Sequence, residues 1–486
     1  MTLTHIETTP MIIGGVAKEA ADGATLDAIN PATGEVMGRF PHASAVDVAE
    51  AVRAANVAFE QWRRLDPQQW RDSLLALADL VDANGDELAM LDVRDNGSPI
   101  REMVNDVRFA VECLRYYASL VMQMCGSTIP TSHDRLDYTL RQPFGVVARI
   151  IPFNHPLLFA ASRIGAPLAA GNSVIIKPSE HTSLSALRIG QLAQRVLPPG
   201  VVSVVTGLGA TTGDALVSHP LIRRVSFTGS AETGRRIIAR GAEVNLKTIS
   251  LELGGKNPLV VFPDADLDRA VDAAVRGMNF TWQGQSCGST SRLILHSSIS
   301  TDFVDRLAAK VDAIRSGDPT DHDTETGAIV NRAQLDKVLS FIQIAKDDGA
   351  RLVAGGHQLT DGDFERGLFV RPTVFADVEP TSRLAQQEIF GPVLAAMTFT
   401  DYDDALQIAN STQYGLTASV FTSDLATASR YARDVEAGYV WVNEVSRHVA
   451  ATPFGGWKDS GLGREEDPSE VESYTQVKNV HVNFEN

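Results

Sequence analysis

The sequence predicts an α/β protein built from two doubly wound lobes and a small β arm. Its 486 residues exceed what one hydrophobic core usually organises, which favours more than one domain. From residue 145 onward, short β-branched runs alternate with helical stretches, as in parallel sheets with helices on both faces. Two alternating polar and apolar segments, 136–142 and 473–483, lie outside these series and predict the strands of the arm.

Residues 1–125 read as a lead-in followed by helices. Ser44 and Asp47 have the spacing of a capping box, which predicts the start of a helix. Behind this start, apolar side chains recur at helical spacing and predict a core-facing stripe: Val48, Val52, Ala55, Phe59 and Trp62.

The first strand series has runs at 145–153, 173–179, 201–207, 223–230 and 248–255. The helical stretches that follow include 182–196 and 231–240. In doubly wound sheets, ligands bind outside the carboxyl ends of the strands. The residues predicted at such ends are Asn154, Lys177, Gly207, Gly229 and Ser230. A second series begins at 257–262 and ends near 388–393 and 440–444.

The bulk composition excludes several classes of protein. A net charge of -17 repels phosphate backbones and anionic lipid, so we expect neither a nucleic-acid nor a membrane partner. Three cysteines without CxxC spacing predict neither a disulfide scaffold nor a metal site. The N-terminus lacks the pattern of a signal peptide, and no apolar run is long enough to span a bilayer. We therefore expect a cytoplasmic protein.

Cys287 differs from the other two cysteines in its surroundings. Cys113 and Cys125 lie in helical apolar stretches and are interpreted as buried hydrophobes. Cys287 lies among small and polar residues, in GQSCGS, where a substrate could approach the backbone closely. It is the candidate nucleophile.

Three more polar residues stand at the ends of apolar runs. Glu252, in LELGGKNP, is a carboxylate with apolar neighbours, and such shielding raises a pKa and suits a base toward water. Asn154, in PFNHP, could donate a hydrogen bond from its amide, and Glu388 precedes a Gly-Pro turn in EIFGPV.

Together, and in this order, these segments resemble the aldehyde dehydrogenase superfamily, in its hydrolytic, non-acylating branch. The resemblance also includes KPSE at 177–180, FTGS with Gly234, and PFGGWKDSGLGRE at 453–465, and it covers nearly the whole chain. It implies oxidation of an aldehyde to a carboxylic acid with NAD(P). Cys287 would attack the aldehyde, Asn154 and the Cys287 backbone N–H would form the oxyanion hole, and Glu252 would activate water to hydrolyse the thioester.

The resemblance also assigns cofactor contacts, to Lys177, Glu180, Gly229, Ser230, Glu388, Phe390 and Phe153. Lys177 and Glu180 would contact the adenosine ribose, and Glu180 would repel a 2′-phosphate, which favours NAD over NADP. Ser230 would meet the pyrophosphate at a helix N-terminus, although an ordinary N-cap explains it equally well. Glu388 would hold the nicotinamide ribose. Phe153 stands where the family usually has Trp.

The substrate funnel implied by the resemblance contains His155, Phe159, Ser162, Thr281, Trp282, His448 and Phe454. This set is less uniformly aromatic than an alkyl or quaternary-amine pocket would need. His155 and His448 could equally be surface histidines. Arg163 and Arg447 could bind a substrate carboxylate or serve as solvated or structural arginines.

Three alternatives stay open from the sequence. An acylating enzyme would pass its thioester to coenzyme A, but that branch usually lacks a base at the position of Glu252. A cysteine hydrolase would need a histidine beside its thiol, and His155 is the histidine within the motif segments. A non-catalytic binding or structural protein could use the same fold.

The predicted domains follow from the same resemblance. Residues 1–125 and 145–255 would form an NAD(P)-binding, Rossmann-like lobe, and residues 256–470 a catalytic, Rossmann-like lobe. Residues 126–144 and 471–486 would form an oligomerisation arm, in a homodimer or homotetramer whose C-terminal strand extends a neighbour's sheet. The identity of the aldehyde is not fixed by fold or mechanism.

Overall fold

The computed structural model describes residues 7–484. Residues 1–6 of the predicted first lobe and 485–486 of the predicted arm therefore lie outside the described residues. Within residues 7–484, no helix has both the length and the apolar character needed to cross a membrane.

The strands are β1 (Met11–Ile13), β2 (Val16–Lys18), β3 (Thr25–Ile29), β4 (Val36–Pro41), β5 (Thr128–Ser132), β6 (Arg135–Pro143), β7 (Val146–Ile150), β8 (Ser173–Lys177), β9 (Val202–Val204), β10 (Ile222–Gly229), β11 (Thr248–Leu253) and β12 (Pro258–Val261). They continue with β13 (Arg292–His296), β14 (Arg351–Ala354), β15 (Gln358–Leu359), β16 (Phe369–Val370), β17 (Thr373–Ala376), β18 (Val393–Phe399), β19 (Tyr414–Gly415), β20 (Thr417–Phe421), β21 (Tyr439–Val442), β22 (Trp457–Lys458), β23 (Gly461–Leu462) and β24 (Thr475–Asn483).

The helices are α1 (Ala45–Trp62), α2 (Pro67–Ala83), α3 (Gly85–Asn96), α4 (Ile100–Leu120), α5 (Pro156–Ser162), α6 (Gly165–Ala169), α7 (Leu184–Ala193), α8 (Asp214–Val217), α9 (Ala231–Val244), α10 (Leu267–Gly277), α11 (Ser300–Asp312), α12 (Arg332–Asp347), α13 (Arg383–Gln386), α14 (Tyr402–Asn410), α15 (Leu425–Asp434) and α16 (Pro468–Ser473). Short 3₁₀ turns cover Val121–Gln123, Phe280–Trp282 and Gly362–Phe364, and a π turn covers Gly209–Gly213.

The first sheet has the strand order β2-β1-β9-β8-β7-β10-β11-β23 in the described part of the chain. Its five central strands, β9 to β11, pair in parallel and coincide with the predicted first series. The chain order runs outward from β7 in both directions, so the sheet has a switch point between β7 and β10. In such sheets this is where ligands bind.

The lead-in contributes more structure than its sequence indicated. β1 pairs antiparallel with both β2 and β9, so residues 11–18 extend the edge of the first sheet. The capping box is confirmed, because Asp47 accepts a 2.8 Å hydrogen bond from the Ser44 backbone N–H and Ser44 accepts from Asp47 in return. The predicted stripe of α1 is buried along its whole length.

The second sheet has the order β14-β17-β18-β13-β12-β20-β21 in residues 7–484. All its pairings are parallel except that between β14 and β17. Each of the two large sheets has a buried apolar cluster on both faces. The α/β fold with two doubly wound sheets is therefore as predicted.

The third sheet, β24-β6-β5, is small and antiparallel. β24 pairs with β6 from Thr475 opposite Pro143 to Asn483 opposite Arg135, so the C-terminal strand finds its partner in the 135–143 segment. The division into domains stays a prediction. One strand inside the range 256–470, β23, returns to the first sheet and pairs with β11.

Candidate active site

The turn that carries Asn154 follows β7, and hydrogen bonds with two residues of α3 hold it in place. The Asn96 amide donates a 2.5 Å hydrogen bond to the Phe153 carbonyl, and the Leu157 N–H donates a 2.8 Å hydrogen bond to Asp92. These bonds fix the segment on both sides of Asn154. The Asn154 side chain is buried, and its Oδ1 has no hydrogen-bond partner among the described residues.

Glu252 lies near the carboxyl end of β11 and is 4% exposed. Neither of its carboxyl oxygens has a hydrogen-bond partner in the part of the chain that the structure describes. Burial, reinforced by the charges of Glu465 and Glu466, raises the Glu252 pKa well above its ordinary value, and Arg163 opposes this. Such a carboxyl is poised to exchange a proton rather than to form a structural ion pair.

The loop that carries Cys287 is held by two distant segments. Asn257 donates hydrogen bonds from its amide to the carbonyls of Cys287 (2.7 Å) and Ser289 (2.9 Å). At Gly284, φ is +66° and a Cβ atom would lie 2.2 Å from the Gly391 carbonyl oxygen. The cysteine loop and the segment after Glu388 are therefore in backbone contact, which no side chain at position 284 would permit.

These elements converge on one cavity of about 160 Å³, here called the central cavity. It is lined by Pro152, Phe153, Asn154, Phe159, Thr228, Gly229, Ser230, Glu252, Leu253, Gly254, Cys287, Gln334, Lys337, Glu388 and Phe390. The three predicted catalytic residues, Cys287, Glu252 and Asn154, thus lie on the wall of the same cavity. Five predicted cofactor residues join them there, at positions 153, 229, 230, 388 and 390.

The Cys287 thiol lies in an environment that disfavours its charged form. Burial raises the pKa of Cys287 to about 12, and the nearby carboxyl groups of Glu388 and Glu252 act in the same direction, while Arg163 opposes them. The sulfur therefore rests as a thiol. To act as a nucleophile it must lose its proton as it attacks.

Glu388 lies against the two glycines that follow β11. The Gly255 N–H donates a 3.0 Å hydrogen bond to Glu388 Oε1, and a Cβ atom at Gly254 would lie 2.0 Å from Oε2. Burial raises the Glu388 pKa, although the Gly255 bond and the charges of Lys337 and Lys256 counteract this. Because Gly254 and Gly255 have no side chains, they leave the space that the Glu388 carboxyl occupies.

A second cavity of about 510 Å³, the sheet-edge cavity, opens at the switch point of the first sheet. It has Pro152, Phe153, Thr228, Gly229 and Ser230 in common with the central cavity, so the two are continuous. Its wall also includes Lys177 and Glu180, so each predicted cofactor residue lies on one of the two cavities.

The polar groups along these cavities suit a dinucleotide. At one end, Lys177 Nζ lies 3.3 Å from Glu180 Oε2. Burial alone would raise the Glu180 pKa, but the charge of Lys177, together with hydrogen bonds and His181, lowers it. In the middle, Ser230 caps α9 and accepts a 3.3 Å hydrogen bond from the Thr233 N–H. Helix N-termini attract phosphate, and an ionised carboxylate accepts ribose hydroxyls. At the other end stands Glu388.

Two of the predicted funnel residues line a third cavity of about 620 Å³, here called the lateral cavity. Thr281 and Trp282 line it, together with Glu102 and Arg447. The His155 ring packs against Trp282 (centroids 5.4 Å apart) and against Phe159 (5.7 Å), which itself lines the central cavity. His155 is therefore not a surface histidine.

The remaining funnel candidates lie deeper or to one side. Phe454 is buried and packs on His448 with ring centroids 4.8 Å apart. Ser162 is buried and its hydroxyl donates to the Leu158 carbonyl of its own helix. Arg163 is buried in ion pairs with Glu465 and Glu466, at 3.2 Å and 2.8 Å, which is the structural interpretation of this arginine.

Known proteins match this chain over nearly its whole length. The family model described as "Aldehyde dehydrogenase family" matches residues 18–480. The chain belongs to the aldehyde dehydrogenase family. Aldehyde dehydrogenase tropH of Talaromyces stipitatus is 45% identical over 465 residues, which cover 94% of this chain and 90% of that protein.

Two solved structures that contain the cofactor are similar to this chain throughout its length. PnpE in complex with nicotinamide adenine dinucleotide is 41% identical, with a TM-score of 0.96 over 98% of each chain. The NAD⁺ complex of an aldehyde dehydrogenase from Bacillus cereus is 38% identical, with a TM-score of 0.96 over 99% of this chain and 97% of that chain. The same fold in relatives therefore binds NAD.

Several residues of this aldehyde dehydrogenase site were not found from the sequence. Gln334 and Lys337 of α12 line the central cavity, and Gln334 donates hydrogen bonds to the carbonyls of Ile389 and Phe390. They belong to an ordinary helix and to none of the motifs. Asp106, whose Oδ2 lies 2.8 Å from His155 Nδ1, is likewise one of three acidic residues on α4 and belongs to none of the motifs. Asn257 lies within the LELGGKNP segment, but an asparagine in the sequence does not indicate which residues its amide binds.

Proposed function

We propose that this aldehyde dehydrogenase oxidises its substrate to a free carboxylic acid through a thioester on Cys287, with NAD as the cofactor. The observation that carries the proposal is the central cavity, on whose wall the thiol of Cys287, the amide of Asn154 and the carboxyl of Glu252 meet. A nucleophile, a hydrogen-bond donor for an oxyanion and a base toward water are the three groups that this chemistry needs.

In the first step, the Cys287 sulfur attacks the aldehyde carbon, and the electron pair of the C=O double bond moves to oxygen. The thiol proton must leave as the S–C bond forms, because burial disfavours a resting thiolate. That proton passes to solvent, so Glu252, which lies on the same cavity, is needed only for the later hydrolysis. The Asn154 amide, with the backbone N–H of Cys287, stabilises the oxyanion.

NAD, when bound, supplies the hydride acceptor. Lys177 and Glu180 would hold the adenosine ribose, Ser230 and the start of α9 the pyrophosphate, and Glu388 the nicotinamide ribose. Phe153 and Phe390 meet edge to face with centroids 5.6 Å apart on the central cavity, and they would flank the ring.

In the last step, the thioester is hydrolysed. Glu252 takes a proton from water, the resulting hydroxide attacks the acyl carbon, and the C–S bond breaks. The sulfur regains a proton and the acid leaves. The raised pKa of Glu252 makes it a stronger base once it is ionised, as this step requires.

The charges around the sheet-edge cavity support NAD over NADP. Glu180, which would face the adenosine ribose, lines this cavity, and the two arginines on its wall are already paired. Arg236 is paired with Glu232, and Arg240 with Asp214 and Glu243. A 2′-phosphate would therefore meet a carboxylate without an unpaired arginine to bind it.

The exposed arm supports a homo-oligomer, a dimer or tetramer, in which β24 extends a neighbour's sheet. Val477 and Leu140 are exposed on the sheet of the arm, and β24 forms one of its edges. Unpaired strand edges favour pairing with another chain. Light scattering of the full chain and of a chain that ends at residue 474 would test this: loss of the oligomer is expected, and an unchanged mass would contradict it.

The test of the function is the product formed without coenzyme A. Purified protein is incubated with NAD and an aldehyde panel that includes aliphatic, aromatic, aminated and carboxylated members, and NADH and free acid are measured together. Equal amounts of acid and NADH are expected for the aldehydes that react. Acyl transfer that depends on added coenzyme A would support the acylating alternative, and the absence of NADH with every aldehyde would overturn the proposal.

A further inference from the structure

The ring of His155 lies between two aromatic rings that line different cavities. Its ring packs on Phe159, which lines the central cavity, and on Trp282, which lines the lateral cavity, with centroids 5.7 Å and 5.4 Å apart. A substrate that reached Cys287 from the lateral cavity would pass this histidine. Its two flanking rings are aromatic, so the imidazole supplies a ring nitrogen between them.

Asp106 of α4 fixes the orientation of that ring. Its Oδ2 lies 2.8 Å from His155 Nδ1, and its carboxyl is buried, so His155 donates the Nδ1 proton to it. The opposite ring nitrogen, Nε2, is then the one left for another partner. Rings held in this way present one chosen nitrogen, as in a carboxylate–histidine pair at a metal or catalytic site.

The charge around His155 restricts which polar group of a substrate its Nε2 can bind. Burial lowers the His155 pKa, but the carboxyl groups of Asp106, Asp92 and Glu102, which face it from α3 and α4, outweigh burial and raise it. Asp106 alone balances the charge of a protonated His155, so the pair leaves no surplus of positive charge for a substrate carboxylate. A neutral hydroxyl or carbonyl oxygen forms the hydrogen bond without that repulsion.

We propose that His155, held by Asp106 and flanked by Phe159 and Trp282, is a specificity-determining residue that selects ring-bearing aldehydes with a neutral hydroxyl or carbonyl oxygen. The inference rests on the proposed function and adds the substrate class to it. Phe159 and Trp282 pack on the apolar body of the substrate, and Nε2 of His155 binds its oxygen.

The test compares substrates of equal size that differ in one hydrogen-bonding group. We would measure kcat/KM for 3- and 4-hydroxybenzaldehyde against 3- and 4-methylbenzaldehyde, with hexanal as an aldehyde without a ring. For at least one ring position, the hydroxyl-to-methyl ratio is expected to fall about 5- to 30-fold from the wild type to His155→Phe. Taking the ratio between the proteins cancels the intrinsic reactivity of each aldehyde.

Two further variants serve as controls for this experiment. The double variant His155→Phe/Asp106→Leu removes both partners, so that no buried carboxylate is left unpaired if the single variant folds poorly. Phe159→Leu reduces packing on the ring without removing a hydrogen bond, so it should lower both members of a pair alike. An equal fall in the ratio for Phe159→Leu and His155→Phe would overturn the role of the hydrogen bond.

The remaining outcomes separate this inference from the function itself. An unchanged ratio at both ring positions in the histidine variants overturns the inference and leaves aldehyde oxidation standing. Oxidation of hexanal without oxidation of any benzaldehyde also overturns it. If no aldehyde of the wider panel yields NADH with the wild-type protein, the proposed function fails instead.

Discussion

The side-chain amide of Asn257 donates a 2.7 Å hydrogen bond to the backbone carbonyl of Cys287. Its oxygen in turn accepts a 3.1 Å bond from the Thr417 N–H, so this one side chain joins the cysteine loop to the start of β20. Asn257 is 2% exposed. The backbone that carries the sulfur is therefore held by a residue thirty positions earlier along the chain, immediately before β12.

Replacing this amide should displace the sulfur. We expect Asn257→Asp to lower kcat by roughly 10²-fold, because aspartate keeps the acceptor for Thr417 but cannot donate to the two loop carbonyls, and small misplacements of a reacting atom cost rates of this order. Steady-state kinetics would measure this, with NAD binding by fluorescence as the control that the fold persists. Full kcat in this variant would show that the bond does not position Cys287.

The role of Glu252 as a hydrolytic base predicts a stalled enzyme. Glu252→Gln should produce one burst of NADH per active site and then turn over at least about 10²-fold more slowly, since glutamine cannot take a proton from water. Stopped-flow absorbance would record the burst. Cys287→Ala is the matched control and should bind NAD but give neither burst nor turnover. Steady turnover of either variant at the wild-type rate would refute the mechanism.

The buried position of Glu252 predicts a direction for the pH dependence. Burial and the neighbouring Glu465 and Glu466 raise its pKa, and the base must be ionised to act, so the rate of thioester hydrolysis should rise with pH through that raised pKa. Single-turnover release of acid from pre-formed acyl-enzyme, followed between pH 6 and 9, would measure it. A rate that is flat or falls over this interval would contradict the assignment.

Much of this site was predictable because its residues follow strands. Asn154 and Lys177 stand at the carboxyl ends of parallel strands. Such ends lie at the same edge of the sheet, however the connecting loops are built. The bond between Asn257 and Cys287, and the contacts of Gln334 with the segment after Glu388, join parts of the chain that are far apart. Tertiary packing decides which residues these side chains bind. Local patterns of polarity in the sequence do not predict it.

The lead-in and the arm illustrate the same limit. The alternation in 136–142 indicated a strand, and β6 is there. The short apolar run of β1 indicated no particular element, because three residues are too few to carry a period, and its antiparallel pairing with β9 is decided by the sheet that it joins.

The carboxylate at position 180 should set cofactor preference. In Glu180→Ala, the ratio of kcat/KM for NAD to that for NADP is expected to fall roughly tenfold, because a charge that repels the 2′-phosphate is lost while Lys177 beside it is kept. Glu180→Gln, which keeps hydrogen bonding to ribose but not the charge, separates the two effects. If neither substitution moves the ratio, this residue does not discriminate between the cofactors.

Gly284 should tolerate no side chain, unlike a second glycine in the same loop. At Gly284 φ is +66° and a Cβ would lie 2.2 Å from the Gly391 carbonyl oxygen, whereas the atom nearest to a Cβ at Gly288 is Ser286 Oγ at 4.0 Å. We expect Gly284→Ala to lower the free energy of unfolding by roughly 2–4 kcal/mol, since strained backbone and a clash with a carbonyl add together.

Gly288→Ala should change the free energy of unfolding by less than about 0.5 kcal/mol, because it meets open space at an ordinary φ. Denaturant melts of both variants would give the comparison. The clash at Gly284 lies between the cysteine loop and the segment that follows Glu388, so its relief must move one of them. A Gly284→Ala protein that keeps both wild-type stability and wild-type KM for NAD would show that these two segments do not depend on their close contact.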